Sequence, residues 1–230
     1  MKKYGKKYEA TLKLIDTTKQ YSLEEAAALL KKTSVTKFDS TIDVSFKLNV
    51  DPTQADQLIR GTLVLPHGNG KTKKVLALTM GKQDEAKAAG ADFVGAKDML
   101  EKIQNENWFG FDVIVATPDM MGELGKMGRV LGPKGLMPNP KSGTVTMQIG
   151  QAITEIKKGK IAYRVDKDGN LNISVARCSF ADKDIVDNLL AVCDAVAKSR
   201  PSTVKGFFIQ SAVVHTTMGP GIKITFDARN

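Results

Sequence analysis

Residues 41–50 alternate without a break: Ile42, Val44, Phe46, Leu48 and Val50 are apolar, and Thr41, Asp43, Ser45, Lys47 and Asn49 are polar. A period of two over this length predicts a strand with one buried and one wet face, as in an antiparallel sheet covered on one side. Asp51-Pro52 ends it, and residues 58–65 read as a second strand. Upstream, Ser22 and Glu25 have capping-box spacing for a helix running to about Lys32, with Ala26, Leu29 and Leu30 toward a core. A basic arm of Lys2, Lys3, Lys6 and Lys7 leads into an earlier helix through Ile15. The arm reads equally as a solvated terminus or a phosphate contact.

After the breaker cluster at residues 66–70 the period changes. Short apolar runs at residues 75–79, 92–94 and 111–116 alternate with helical stretches at 82–89 and 98–104, and Thr117-Pro118-Asp119 is a helix start. Strands alternating with helices predict a parallel, Rossmann-like sheet. A helix follows at residues 149–157, then Gly159. From Ile161 the chain is hairpin-like again: strands at 161–165 and 171–180 flank the turn Asp166-Lys167-Asp168-Gly169-Asn170. A helix from Asp182 puts Ile185, Leu189, Val192, Cys193 and Val196 on one face and stops before Pro201, and residues 207–214 and 222–226 close the chain as strands. The expected fold is therefore α+β and α/β in two domains. A discontinuous antiparallel domain is built from residues 1–67 and 160–230, and residues 68–159 form a Rossmann-like insert joined to it by a double hinge.

The formal charge is +9 over 230 residues with pI near 9.4, which points to a polyanionic partner. Each of the three segments just named carries +3, so any binding face is assembled by folding and not by a basic tail. Cys178 and Cys193 have neither CxxC spacing nor a His pair nearby, so buried thiols are expected and no metal. No apolar run reaches the ~18 residues needed to span a membrane, and no signal-peptide pattern is read, so the expected compartment is reducing and cytoplasmic.

Motifs for catalysis and cofactors fail on inspection. Gly70-Lys71-Thr72 lacks the earlier glycine of a phosphate loop, where Leu65 stands, and a strand follows it instead of a helix. Thr79-Met80-Gly81-Lys82 supplies one glycine where a dinucleotide fingerprint needs three. The 166–170 turn lacks the closing Glu of a calcium loop. His67 and His215 lie near opposite ends of the chain, with no nucleophile in a recognisable context, so no catalytic residue and no cofactor are expected.

Residues 125–144, GKMGRVLGPKGLMPNPKSGT, hold five Gly, three Pro, four Lys or Arg and no acid. Their Gly and Pro content predicts no helix past Leu131. The stretch reads as an ordered cationic loop with free N–H groups for phosphate, or as a solvated loop or linker. Its cations Lys126, Arg129, Lys134 and Lys141 are candidates for secondary nucleic-acid contact. In Lys37-Phe38-Asp39-Ser40-Thr41, Lys37 can neutralise phosphate and Phe38 can pack on a ribose or base, or Phe38 is a core residue at a helix–strand junction. In Thr216-Thr217-Met218-Gly219-Pro220-Gly221 the hydroxyls of Thr216 and Thr217 can bond phosphate or 2′-OH groups, Met218 offers soft apolar contact, and Gly219 admits a close backbone. The plain alternative is a hairpin turn.

GRVLGPKGLMPNPKSGTV is similar to the signature of the bacterial large-subunit ribosomal protein L1 family, the stalk proteins, and TTMGPG and KFDST resemble two further segments of that family. The resemblance covers nearly the whole chain. It implies that Lys37, Phe38, Thr41, Ser211, Thr217, Met218 and Gly219 meet folded large-subunit ribosomal RNA, with a departure at His215, where family members often have a small hydroxyl residue. It also implies a two-domain protein, monomeric within the ribosome, that carries the mobile stalk beside the tRNA exit site and helps release deacylated tRNA. A further implied role is repression of translation of its own operon by binding a similar fold in the messenger RNA. Rival readings are a nucleotide-dependent enzyme built on the α/β domain and a general DNA-coating protein.

Overall fold

The structure is a computed structural model that describes residues 4–225. Lys2, Lys3 and Phe226 lie outside them. The chain divides into two compact units, Met1–Gly70 with Ile161–Asn230, and Lys71–Lys160. In chain order the elements are α1 (Lys6–Leu12), α2 (Leu23–Lys32), β1 (Thr41–Leu48), β2 (Arg60–Val64), β3 (Val75–Leu78), α3 (Gln83–Ala88), β4 (Phe93–Gly95), α4 (Lys97–Glu106) and β5 (Val113–Ala116). Then come α5 (Met121–Lys126), α6 (Gly128–Leu131), α7 (Ile149–Lys157), β6 (Lys160–Arg164), β7 (Asn170–Arg177), α8 (Asp182–Lys198), β8 (Ile209–Thr216) and β9 (Ile222–Lys223).

In the first unit β1 is an inner strand of a four-stranded sheet ordered β7-β1-β8-β9. It pairs antiparallel with β7 on one side and β8 on the other. The alternation that predicts the strand is the alternation observed: Ile42, Val44, Phe46 and Leu48 are buried and the residues between them are not. Those four join Leu171, Ile173, Val175, Ala212 and Val214 in one core with Ala26, Ala27 and Leu30 of α2 and Ile185, Leu189, Val192 and Val196 of α8. Both helices therefore lie on the same face of the sheet. Helix α2 begins at the expected capping box, with the Ser22 hydroxyl accepting from the Glu25 N–H at 3.2 Å. Strands β2 and β6 form a separate two-stranded sheet. Gly61 is required there, because a Cβ at that position would lie 2.6 Å from the Tyr163 hydroxyl.

The breaker cluster at residues 66–70 is held firmly. Buried Asn188 of α8 accepts from the His67 N–H at 3.1 Å and donates to Gly68 O at 2.9 Å and Val175 O at 3.1 Å. Gly68 and Gly70 adopt φ of 66° and 69°, which carries the chain through a reversal that residues with a Cβ rarely make.

In the second unit three parallel strands run in the order β4-β3-β5. One side of the sheet packs Leu76, Leu78, Ile114 and Ala116 with Ile103 of α4 and Leu124 of α5. The other packs Val75, Ala77 and Val115 with Ala86 of α3 and Ile149, Ile153 and Ile156 of α7. Apolar positions at i, i+4 and i+7 of α7 make this the helix stripe its sequence predicts. The described residues form a mixed α/β protein with a four-stranded antiparallel sheet, the two-stranded β2-β6 sheet and a three-stranded parallel sheet.

Candidate nucleic-acid interface

The face of the first sheet opposite α2 and α8 is a polar surface laid out in rows by the strand register. Lys47 lies between Asn170 and Ser211, Ser45 between Asn172 and Val213, and Asp43 between Ser174 and His215. Thr41 stands across from Arg177 at one end. Along these rows the ring nitrogen of His215 lies 3.5 Å from the Ser45 hydroxyl, and the Lys47 ammonium bonds Asp168 O. A shift of register between Ile42 and Asp43 leaves Val175 and Ala176 both buried. It carries Arg177 back to the open side, where its guanidinium reaches Asp39 at 3.8 Å. Of this face the alternation of residues 41–50 singles out Thr41 and the family resemblance Ser211, but neither points to Asn170, Asn172 and Ser174. The alternation of Leu171, Ile173 and Val175 with these polar residues is the signal that marks them.

At the Thr41 end, two loops converge. The turn after β8 is tied to the start of β1: Thr217 N–H donates to Thr41 O at 3.0 Å, and the Thr217 hydroxyl accepts from Thr41 N–H at 3.2 Å. The loop before β1 is pinned from the other side. Asp39 accepts from the Ser179 N–H and hydroxyl at 3.0 and 2.8 Å, and buried Ser40 sits 3.0 Å from both the Ser34 hydroxyl and the Cys178 sulfur. Between these anchors Lys37 is exposed and Phe38 is 63% exposed. Phe38 is thus no core residue at a junction but a ring presented to solvent by a loop fixed on both sides.

Met218 is 76% exposed and has φ of 65°. A left-handed conformation costs an unbranched L-residue roughly 1 kcal/mol, and an exposed thioether gains nothing by it within the protein. Gly219 donates its N–H to Thr216 O at 2.9 Å, and a Cβ there would lie 2.2 Å from Thr216 Oγ1. The demand for glycine is therefore set by packing inside the turn. Thr216 is 1% exposed, paired with Ile42 on the core side, and its hydroxyl is buried without a partner. It cannot meet an RNA phosphate as the turn-hydroxyl reading expects, because strand alternation sends it under the turn while Thr217 stays half-exposed above it.

The second unit carries its own cationic surface. The Gly/Pro-rich stretch is ordered: Leu131 is buried, Leu136 and Met137 pack against the core, and Asn139 N–H donates to the Thr144 hydroxyl at 2.8 Å. The end of α5 and the whole of α6 fall in its first half, and α6 stops at Leu131, just before Gly132-Pro133. Lys126, Arg129, Lys134 and Lys141 are all exposed. Lys126 bonds Glu123 at 2.9 Å, and the Lys134 ammonium sits 3.9 Å above the Phe109 ring.

Elsewhere the titratable side chains have structural tasks. Asp166 accepts from the N–H groups of Asn170 at 2.7 Å and Asp168 at 3.0 Å, which closes the turn between β6 and β7. These bonds, led by that from Asn170, hold its carboxyl below the usual carboxylate range. Among the described residues no helix is long and apolar enough to cross a membrane.

The model of the ribosomal protein L1p/L10e family matches residues 30–220, a span that includes both loops of the Thr41 corner and all of the second unit. The large ribosomal subunit protein uL1 of Mesoplasma florum is 55% identical over 224 residues, covering 97% of this chain and 99% of that protein. A match that runs through the open face, the corner and the Gly/Pro-rich stretch alike shows that the chain belongs to the ribosomal protein L1p/L10e family.

Proposed function

We propose that this chain is a non-enzymatic component of the bacterial large ribosomal subunit in the cytoplasm. In this reading it is a monomer within the ribosome and binds ribosomal RNA directly through the first unit. The observation that carries the reading is the Thr41 corner: two exposed apolar side chains, Phe38 and Met218, stand beside Lys37 and the Thr217 hydroxyl on loops locked to the sheet. Structured RNA is read by such sets, with rings and soft apolar groups on bases or riboses, cations on phosphates and hydroxyls on 2′-OH groups. Preformed loops lower the ordering cost of binding. Lys37, Phe38, Thr41, Ser211, Thr217, Met218 and Gly219 form the contact set, and Thr216 supports the turn from below.

The second unit is a Rossmann-like insert that swings on a double hinge, carries the mobile stalk near the tRNA exit site and assists release of deacylated tRNA. Lys126, Arg129, Lys134 and Lys141 are its RNA or tRNA contacts. The same corner binds a similar fold in the protein's own messenger RNA and represses its translation, because two RNAs of one shape are read by one set of groups. Filter binding against fragments of total ribosomal RNA at two salt concentrations tests the reading. One fragment is expected to bind saturably and to keep its advantage at higher salt. Equal affinity for all fragments, falling with one common salt slope, would mean binding by charge alone and overturn it.

A further inference from the structure

Phe207 is 86% exposed, the largest exposure of any large apolar side chain among the described residues. It lies at the opposite end of the sheet from Phe38 and Met218, because Leu48, the last residue of β1, pairs with Ile209 at the start of β8. The loop that presents it is built rather than frayed. The Arg200 guanidinium donates to Val204 O at 3.2 Å and to Gly206 O at 3.1 Å, and Gly206 takes the left-handed φ of 77°. Val204 and Phe208 are buried on either side, and Asn49 N–H donates to Phe208 O at 2.8 Å. Sequence periodicity places Phe207 inside the strand, but β8 starts at Ile209 and leaves the ring outside the sheet.

We propose that Phe207 is a second aromatic RNA contact, and that the footprint of a single folded RNA runs from the Phe38–Met218 corner along the open face to this ring. The inference rests on the RNA-binding reading above and extends it to a site about 23 Å away, the length of seven strand residues. The ground between the two ends suits a polyribonucleotide. It holds Asn170, Lys47, Ser211, Asn172, Ser45, Ser174 and His215, against one carboxylate, Asp43. Exposed Lys205 stands two residues from the ring. A protein partner would need a contiguous apolar centre, whereas the rows between the two ends offer only Val213. A base needs one exposed ring to stack on.

The full-length chain carrying Phe207→Ala, Phe207→Trp, Phe38→Ala or Met218→Ala is titrated against the ribosomal RNA fragment selected by filter binding, and its sedimentation is followed with concentration. Phe207→Ala is expected to weaken binding about 5- to 150-fold, the range for loss of one stacked base, and Phe207→Trp to retain it. If Phe207→Ala binds like the wild type while Phe38→Ala and Met218→Ala lose affinity, the second contact is overturned and the corner stands. If all three alanine variants bind like the wild type, both fall. If Phe207→Ala leaves RNA binding intact but abolishes a concentration-dependent association of the chain with itself, the ring is a protein contact and the inference is wrong.

Discussion

Thr217 and Thr41 lock the corner at the start of β1 by a reciprocal clasp: the Thr217 hydroxyl accepts from the Thr41 N–H at 3.2 Å and lies 3.3 Å from Thr41 O, to which it can donate. The side chain thus fixes the first residue of an inner strand while its Cα leads into the exposed Met218. Thr217→Ala is expected to lower stability by about 1 kcal/mol and specific RNA binding by about 1–3 kcal/mol, with nonspecific binding nearly unchanged. Thr217→Ser keeps the clasp and should restore both, as read by denaturant midpoints and filter binding.

Met218→Gly separates folding from binding. Relief of the left-handed φ is expected to raise stability by about 0.5–1 kcal/mol. Loss of the thioether should weaken specific RNA binding by about 1–3 kcal/mol. Opposite signs in chemical denaturation and RNA titration would mark Met218 as held in strain for its ligand. A variant that loses stability contradicts this account.

Gly219 and Thr216 are coupled by the 2.2 Å approach described above. Gly219→Ala should cost about 1–3 kcal/mol of stability as an overpacked site. Most of that is expected to be recovered in a Thr216→Ala background, which removes the hydroxyl in the way. A double-mutant cycle measures the coupling. Additive losses would mean that the glycine is needed for some reason other than this clash.

Replacing Lys126, Arg129, Lys134 and Lys141 together with Ser should leave the fold intact, since all four side chains are exposed. Affinity for tRNA is expected to fall, and the logarithmic salt slope to shrink by about 0.7–0.9 for each phosphate no longer neutralised. Unchanged affinity for ribosomal, messenger and transfer RNA alike would assign this surface another task.

Burial, reinforced by Asp194, pushes the Cys193 thiol up to about 12 from an ordinary 9.0. The unfolded chain gives up this proton near the ordinary value and the folded chain holds it. The thiol's contribution to stability is therefore constant below about pH 9 and is lost as pH rises toward 12. Alkylation of the native protein at neutral pH should spare Cys193 and reach only half-buried Cys178, with Cys193 becoming reactive on denaturation. Mass mapping of the alkylated peptides checks this.

Much of the architecture is legible in the chain because the signals are local and periodic. The alternation of residues 41–50 yields β1 and its buried face, and the stripe from Ile185 to Val196 yields α8. In the Gly/Pro-rich stretch no α-helix runs between Leu131 and Ile149, as its Gly and Pro predict, and Leu136 and Met137 anchor the loop. What the pattern misses is set by contacts across the sequence. Whether Phe38 faces core or solvent depends on Ser179 and Cys178, some 140 residues away. The burial of Thr216 depends on its pairing with Ile42, and the late start of β8 on a register shift beside Leu48. None of these is visible to a window of ten residues.

The two neighbours of β1 are separated from it by more than a hundred residues of chain, whereas β3, β4 and β5 lie within about forty-two residues of one another. Loop closure over so long a span must precede any pairing of β1, so folding during synthesis is ordered: the central segment closes early and the outer sheet only when the tail has emerged. A nascent or clipped polypeptide that ends before Ile209 has no β8, no turn and no clasp. If the corner reads RNA as proposed, that contact is reserved for chains that extend past the turn after β8, and shorter ones keep only the cations of the second unit.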